Sequence, residues 1–256
     1  MFQTVIYSGS FENFLTAVFE VYEYKITEPD IQQEGKANSS LFGDMHIVHE
    51  NKTKAERVIK ALQQKITPRS FRHFYKTFLS ELPGIENVLL RYVQYVMRSV
   101  NSVERNFANT DVLMVNQTAK KVDREKHRMK AFIRFQKTKD ELYYAIVQPD
   151  FNVLPLIANH FKERYADQHW LIYDVRRKYG LYYDLETVTE VHITFSEDLN
   201  DKSVKENVYD EEEDLYQSLW QVYFDSVNIK ARKNMKLHIQ HMPKRYWKYL
   251  IEKQPK

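Results

Sequence analysis

Apolar residues keep a helical period from Phe11 to Met129 and then change to short strand-like runs, and this switch sets the fold class. Thr4–Tyr7 reads as a short strand and Ser8-Gly9-Ser10 as a turn, with Ser10 placed to cap a helix. Phe11, Phe14, Leu15, Val18, Phe19 and Tyr22 follow at helical spacing. Residues 27–44 are polar, with Pro29, Gly35 and Ser39-Ser40, and read as a loop. Ala55, Val58, Ile59, Leu62 and Ile66 form a second amphipathic pattern. Thr67-Pro68 opens a third, in which Phe71, Phe74, Tyr75, Phe78, Leu79 and Leu82 run up to Pro83. Ile85, Val88, Leu89, Tyr92, Val93, Val96 and Val100 form a fourth.

The segment 111–130 predicts a fifth helix with two unlike faces. Val112, Val115, Ala119, Val122 and Met129 share one side at 100° per residue. Lys120, Lys121, Arg124, His127 and Arg128 share the other. Between Lys120 and Lys130 there are six Lys or Arg against Asp123 and Glu125. A merely solvated face would be basic too, but its signs would usually alternate. The single sign therefore favours an anionic partner.

Beyond residue 131 the pattern is that of strands. Phe132–Phe135 and Tyr143–Val147 flank a polar KTKDE run and read as a hairpin. Trp170–Tyr173 and Leu181–Tyr183 flank Arg176, Arg177 and Lys178, a second hairpin with an exposed basic tip. A polar turn needs fewer cations than this, so phosphate contact is the functional reading. Residues 151–165 look helical, with Pro155 tolerable only in the first turn. Val191–Phe195 reads as a fifth strand. Residues 197–214 hold nine acids against Lys202 and Lys205 and read as a linker. Another helix is expected near Leu215–Tyr223. The expected fold is α+β: a helical N-terminal half, then a small, mainly antiparallel sheet covered by helices. One domain, 1–256, accounts for the pattern. A subdivision into a mainly helical part, 1–130, and a two-hairpin part with a basic tail, 131–256, is the alternative.

Charge is concentrated at the C-terminus. Residues 228–256 carry nine Lys or Arg against Glu252 alone. Residues 1–227 hold 29 bases and 34 acids, so the chain's net charge of +3 arises in this tail. Lys230, Arg232, Lys233, Lys244 and Arg245 stand there beside Tyr246, Trp247 and Tyr249, a combination suited to phosphates and exposed bases. Trp247 is expected to pack on the core as an anchor, and side chains facing away from it to stack on bases.

Absences narrow the chemistry. The chain has no Cys, which removes disulfides, a Cys nucleophile, thiolate-bound zinc and a Cys-ligated iron–sulfur cluster. Its five glycines fit no GxGxxG, P-loop or GxSxG pattern, all of which need close backbone approach or a sharp turn. His46 with His49, and His238 with His241, have i,i+3 spacing but lack a third ligand in pattern, so no metal site is read. Asp150, His160 and Asp174, with Asp167 and Asp184 nearby, could supply acid–base chemistry. The plainer reading is structural: Asp150 can cap the helix after it, and Asp174 and Asp184 can cap strand ends or pair with Arg176 and Arg177. The N-terminus MFQTVIYSGS has no basic stretch followed by an apolar run, and no apolar run is long enough to cross a bilayer. A cytoplasmic protein without a cofactor is expected.

Several long blocks are familiar together: YSGSFENFLTAVFE, HRMKAFIRF, YYAIVQPDFNVLPLIANHF, WLIYD, GLYYD and VNIKARKNMKLHIQHMPKRYWKYL. In order, from about residue 2 to residue 250, they resemble a bacterial family assigned to DNA repair or DNA metabolism and built around a domain of unknown function. The resemblance implies DNA as a partner. It also implies a radical SAM protein of DNA modification or repair, typically encoded alongside, that would carry the cluster this cysteine-free chain cannot hold. Some relatives are fused to a uracil-DNA glycosylase-like domain. The resemblance carries no catalytic residue, and Phe151 stands where His or another polar residue is common. Three functions follow as expectations: a non-catalytic DNA-binding subunit, a DNA-acting enzyme of glycosylase or nuclease type, or a protein-interaction scaffold.

Overall fold

The computed structural model describes residues 2–36, 44–139, 141–192 and 239–253. The class is α+β, as expected. The chain divides into two compact units, 1–123 and 124–256, with the boundary inside one helix.

In the first unit a parallel three-stranded sheet is ordered β2-β1-β3. It comprises β1 (Phe2–Tyr7), β2 (Glu28–Gln33) and β3 (Asp44–Ile47). Helix α1 (Phe11–Glu23) follows β1, and the Ser10 hydroxyl accepts the Asn13 N–H as its cap. The turn between them requires Gly9, whose φ is +113° and whose position would bring a Cβ within 2.4 Å of Gln33 Nε2. Helices α2 (Lys52–Lys65), α3 (Pro68–Phe78) and α4 (Ile85–Arg98) follow. Thr67 caps α3, with Pro68 in its first turn. Phe11, Phe14, Phe74 and Phe78 pack with ring centroids 5.1–6.3 Å apart, and Phe14, Phe74, Leu89 and Tyr92 are buried.

Two expectations fail here. The polar stretch 27–44 contains β2 and the first residue of β3, although residues 37–43 lie outside the described residues. Only Ile31 of β2 is buried, so the parallel ladder to β1, not an apolar pattern, makes it a strand. Helix α3 stops at Phe78 instead of running to Leu82. Ser80 Oγ donates to Thr77 O at 2.6 Å, and Glu81 turns to φ +50°, which ends the helix before Pro83.

Glu20, largely buried on α1, accepts from His46 Nε2 at 2.6 Å and Lys54 Nζ at 2.9 Å. Burial opposes its ionisation, but the hydrogen bonds and charges of Lys54 and His46 outweigh burial and hold the carboxyl below its ordinary value. A depressed carboxyl adds stability above its unfolded pKa, about 4.3, and loses it as pH falls through the folded value. Lys54→Met should therefore move acid unfolding to higher pH, read by circular dichroism during titration. An unchanged acid midpoint would remove this ion pair from the account of stability.

Helix α5 (Thr110–Phe132) buries Val112, Val115, Ala119, Val122 and Met129 as its periodicity requires. It runs two residues past Lys130, so Phe132 is helical, and in place of the strand expected at Phe132–Phe135 a short β4 (Gln136–Lys137) forms just beyond it. Phe135 instead packs on Phe161, Tyr165 and Trp170.

The second unit's sheet is ordered β4-β5-β6-β7-β8, with β5 (Tyr143–Val147), β6 (Trp170–Asp174), β7 (Tyr179–Tyr183) and β8 (Val188–Val191). Three of its four pairings are antiparallel; β5 and β6 run parallel, joined through α6 (Leu154–Arg164). A parallel pair needs such a crossover. Both expected hairpins are present, β4 with β5 and β6 with β7, and the parallel β5–β6 pair joins them into one sheet. Gly180 in β7 faces Ile172 O, which a Cβ would approach to 2.9 Å. The last strand ends at Val191, so most of the expected Val191–Phe195 lies outside the described residues, as does the helix expected near 215–223. Two 3₁₀ turns, Lys244–Tyr249 and Ile251–Lys253, form the C-terminal segment, with Tyr246, Leu250 and Ile251 buried. Among the described residues no helix is long and apolar enough to cross a membrane, and no group of His, Asp or Glu is arranged to hold a metal.

Candidate functional site

The parallel strands β5 and β6 end side by side, Val147 opposite Asp174. Ligands in parallel sheets gather beyond the carboxyl ends of strands, where the chain leaves for its crossover. Here the chain leaves through Gln148-Pro149-Asp150-Phe151-Asn152 before α6 begins. Helix α5, the β6–β7 turn and the C-terminal segment all hold this loop.

From α5 comes Glu125, only 1% exposed. Its Oε1 accepts the Asp150 N–H at 2.9 Å and the Tyr246 hydroxyl at 2.5 Å. Its Oε2 faces Arg245 Nη2 at 3.4 Å and Arg128 Nη1 at 3.7 Å. Arg245 Nη2 also lies 2.7 Å from Asp150 Oδ2 and donates to Tyr246 Oη at 2.6 Å. From the β6–β7 turn, Arg176 Nη1 donates to Asp150 O at 2.9 Å, while Arg177 donates to the carbonyls of Pro149 and Asp150, each at 3.2 Å. Three guanidinium groups thus converge on one loop, and Arg128 faces the Glu125 that holds it. They face the carboxylates of Glu125, Asp150 and Asp174, so the charge does not cancel.

The turn itself departs from expectation. Arg177 is not a solvent-exposed tip residue: its side chain is 9% exposed and reaches Asp174 Oδ2 at 2.7 Å. Asp174 is fully buried, and its Oδ1 accepts the N–H groups of Arg176 and Arg177. Burial pushes its pKa up, and Arg177 pulls it only part of the way back. Asp174 is therefore a strand-end anchor, remote from solvent. Arg176 and Lys178 remain exposed, Lys178 in a left-handed conformation at φ +58°.

The other expected residues fall as follows. Arg124 and His127 are exposed on α5 with Arg128 half-buried, and Lys120 and Lys121 are exposed on the part of that helix belonging to the first unit. Lys244 is exposed, 5.9 Å over the Trp247 ring. Lys230, Arg232, Lys233 and His238 lie outside the described residues. Asp150 does not cap α6, whose N-cap is Val153; its carboxylate pairs with Arg245 and is 47% exposed. His160 lies on α6, where burial and then the charges of Lys130 and Arg164 lower its pKa, keeping the ring neutral near pH 7. Trp247 is only half-buried, its Nε1 donating to Met242 O at 3.0 Å. The buried anchor is its neighbour Tyr246, because the 3₁₀ turn directs that ring beneath the segment, tilted 5.6 Å from Phe132.

Glu125 was missed as a site residue, and Tyr246 was read among the tail's aromatics but not as the buried anchor. A signal existed for Glu125: it falls three residues after Val122 and four before Met129, an acid among buried apolar positions. Glu252, the lone acid of the basic tail, is likewise the buried partner of Arg134 at 2.9 Å.

Chemically, the arrangement offers preoriented guanidinium groups, half-exposed at Arg128 and Arg245, for binding anions. Two of its three carboxylates are buried and engaged, which leaves Asp150 alone accessible. No curated protein and no solved structure matches the chain. Residues 83–252, about two thirds of the sequence and all of the cluster just described, match DUF4130, a domain of unknown function, and the chain belongs to that family.

Proposed function

We propose that this chain binds DNA in a repair or metabolic process and serves a radical SAM enzyme by presenting DNA to it. The observation that carries the reading is the meeting of three separate basic segments at one loop. Arg176 and Arg177 of the β6–β7 turn hydrogen-bond the Asp150 carbonyl, Arg245 of the C-terminal segment pairs with Asp150 and Glu125, and Arg128 of α5 faces Glu125. Arginine suits phosphate because its planar fork matches two oxygens at once. The exposed Arg124, Lys178 and Lys244 extend the same sign outward. The radical SAM partner rests on the sequence resemblance and on the absence of cysteine.

Phosphate contacts release counterions, so affinity should fall steeply with salt. Six contacts predict roughly a thousandfold loss between about 50 and 200 mM salt, with little sequence preference. Arg245→Gln should lower the slope of log affinity against log salt by about one contact, roughly 0.9. Fluorescence anisotropy with a labelled duplex measures both. A binding constant flat across that range excludes phosphate-led recognition. Co-purification with a co-expressed radical SAM protein of DNA modification or repair tests the partner.

A further inference from the structure

Residues 57–80 carry six Lys or Arg and no acid, while the other 99 residues of the first unit hold nine bases against fourteen acids. A face that only needs solvation usually mixes its signs. On α3, Arg69, Arg72, His73 and Lys76 stand at i, i+3, i+4 and i+7 and so share one face. Two of these side chains tie that face to α5. His73 Nδ1 lies 3.1 Å from Asn116 Oδ1, and Lys76 Nζ donates to Asp123 Oδ2 at 2.8 Å. Asn116, Lys120 and Asp123 succeed one another at i, i+4 and i+7, so Lys120 falls on α5 between the two ties. Arg69, Arg72 and Lys120 are exposed, and none of them has a carboxylate partner among the described residues. Burial lowers the His73 pKa, so the charge of this face comes from its Arg and Lys side chains. Among the described residues, none of the large apolar side chains that reach solvent falls within 57–80, whereas a protein-docking surface has an apolar centre.

We infer that the α3–α5 ridge of the first unit is a second contact surface for the DNA backbone, with Arg69 and Arg72 of α3 and Lys120 of α5 each taking a phosphate. This rests on the DNA-binding reading and extends it to residues outside the arginine cluster. The ties through Asn116 and Asp123 fix α3 against α5, so the three cations stand on rigid elements and not on loop tips. From Arg69 to Lys76 the face runs about 10 Å at 1.5 Å per residue. One DNA strand presents a phosphate about every 3.4 Å along the axis, so such a face can follow roughly three of them. Phosphates carry no base identity, and the surface adds affinity without sequence preference.

The test is fluorescence anisotropy of the full chain with a labelled duplex between about 50 and 200 mM salt. Arg69→Gln combined with Arg72→Gln should lower the slope of log affinity against log salt by about 1.8, two contacts at roughly 0.9 each. Lys120→Gln should remove about 0.9 more. Melting should stay with wild type, because these positions are exposed and unpaired. Lys25→Gln combined with Lys36→Gln removes the same charge from exposed positions outside 57–80 and should leave the slope unchanged. A wild-type protein that binds DNA, with a slope that the α3 pair does not move, overturns the second surface and leaves the reading at the arginine cluster intact. An equal drop in the Lys25 and Lys36 pair overturns it as well, by tracing the effect to net charge. Failure of the wild type to bind DNA overturns the DNA-binding reading itself.

Discussion

Glu125→Ala is expected to lower the melting temperature by about 10 °C and to weaken DNA binding even where the protein remains folded. The carboxylate accepts hydrogen bonds from the Tyr246 hydroxyl and the Asp150 N–H and faces both Arg128 and Arg245. Alanine leaves the hydroxyl and the amide without their acceptor in a buried site. Hydrogen bonds to a charged group contribute about 1.5–3 kcal/mol each. Arg245 is 42% exposed and can recover water, which limits the total to about 3 kcal/mol. At about 2–4 °C per kcal/mol for a chain of this size, the shift follows. Glu125→Gln keeps the Oε1 acceptor and should lose only a few degrees. An Ala variant that melts with wild type would show that the C-terminal segment docks without Glu125.

Arg177→Ala should destabilise by about 3–5 kcal/mol, the usual result of stranding one member of a buried ion pair. The stranded group is Asp174, fully buried at the end of β6. Arg176→Ala and Lys178→Ala, at exposed positions, should leave the melting temperature nearly unchanged. The pH dependence supplies a second signature. Burial already raises the Asp174 pKa, and without Arg177 it climbs further. A raised carboxyl contributes stability below its unfolded pKa and loses it as pH rises through the folded value. The deficit of Arg177→Ala should therefore be largest near neutral pH and shrink in acid, as thermal scans across that range would show. Asp174→Asn introduced beside it should restore much of the loss. A deficit independent of pH would mean that Arg177 acts through its contacts with the Pro149 and Asp150 carbonyls instead.

What could be read from sequence was what a single element decides. The caps at Ser10 and Thr67, the buried face of α5 and the β6–β7 hairpin depend on neighbours along the chain, and their spacing records them. Strand β2 was illegible because Glu28–Gln33 owes its conformation to β1, not to its own side chains. The parallel pairing of β5 with β6 was illegible for the same reason. At the site, the basic residues announced themselves by charge, but which ones face solvent did not. Arg177 and Lys178 are neighbours in one run, and only the turn's backbone sends the first inward and the second out. Tyr246 and Trp247 were exchanged because a one-residue offset in a 3₁₀ turn decides which ring is buried.

The distances along the chain that the cluster spans bear on how it comes to exist. The four-residue turn between β6 and β7 brings Arg176 and Arg177 into place early, because such a loop closes at small entropic cost. Strand β5 must wait for α6 to cross over. Glu125 meets Tyr246 only when a loop of 121 residues has closed. Contacts of that separation form late in folding. The arginine cluster is thus complete only once the C-terminal segment has docked, and a half-folded chain, although it carries every one of these arginines, lacks their arrangement.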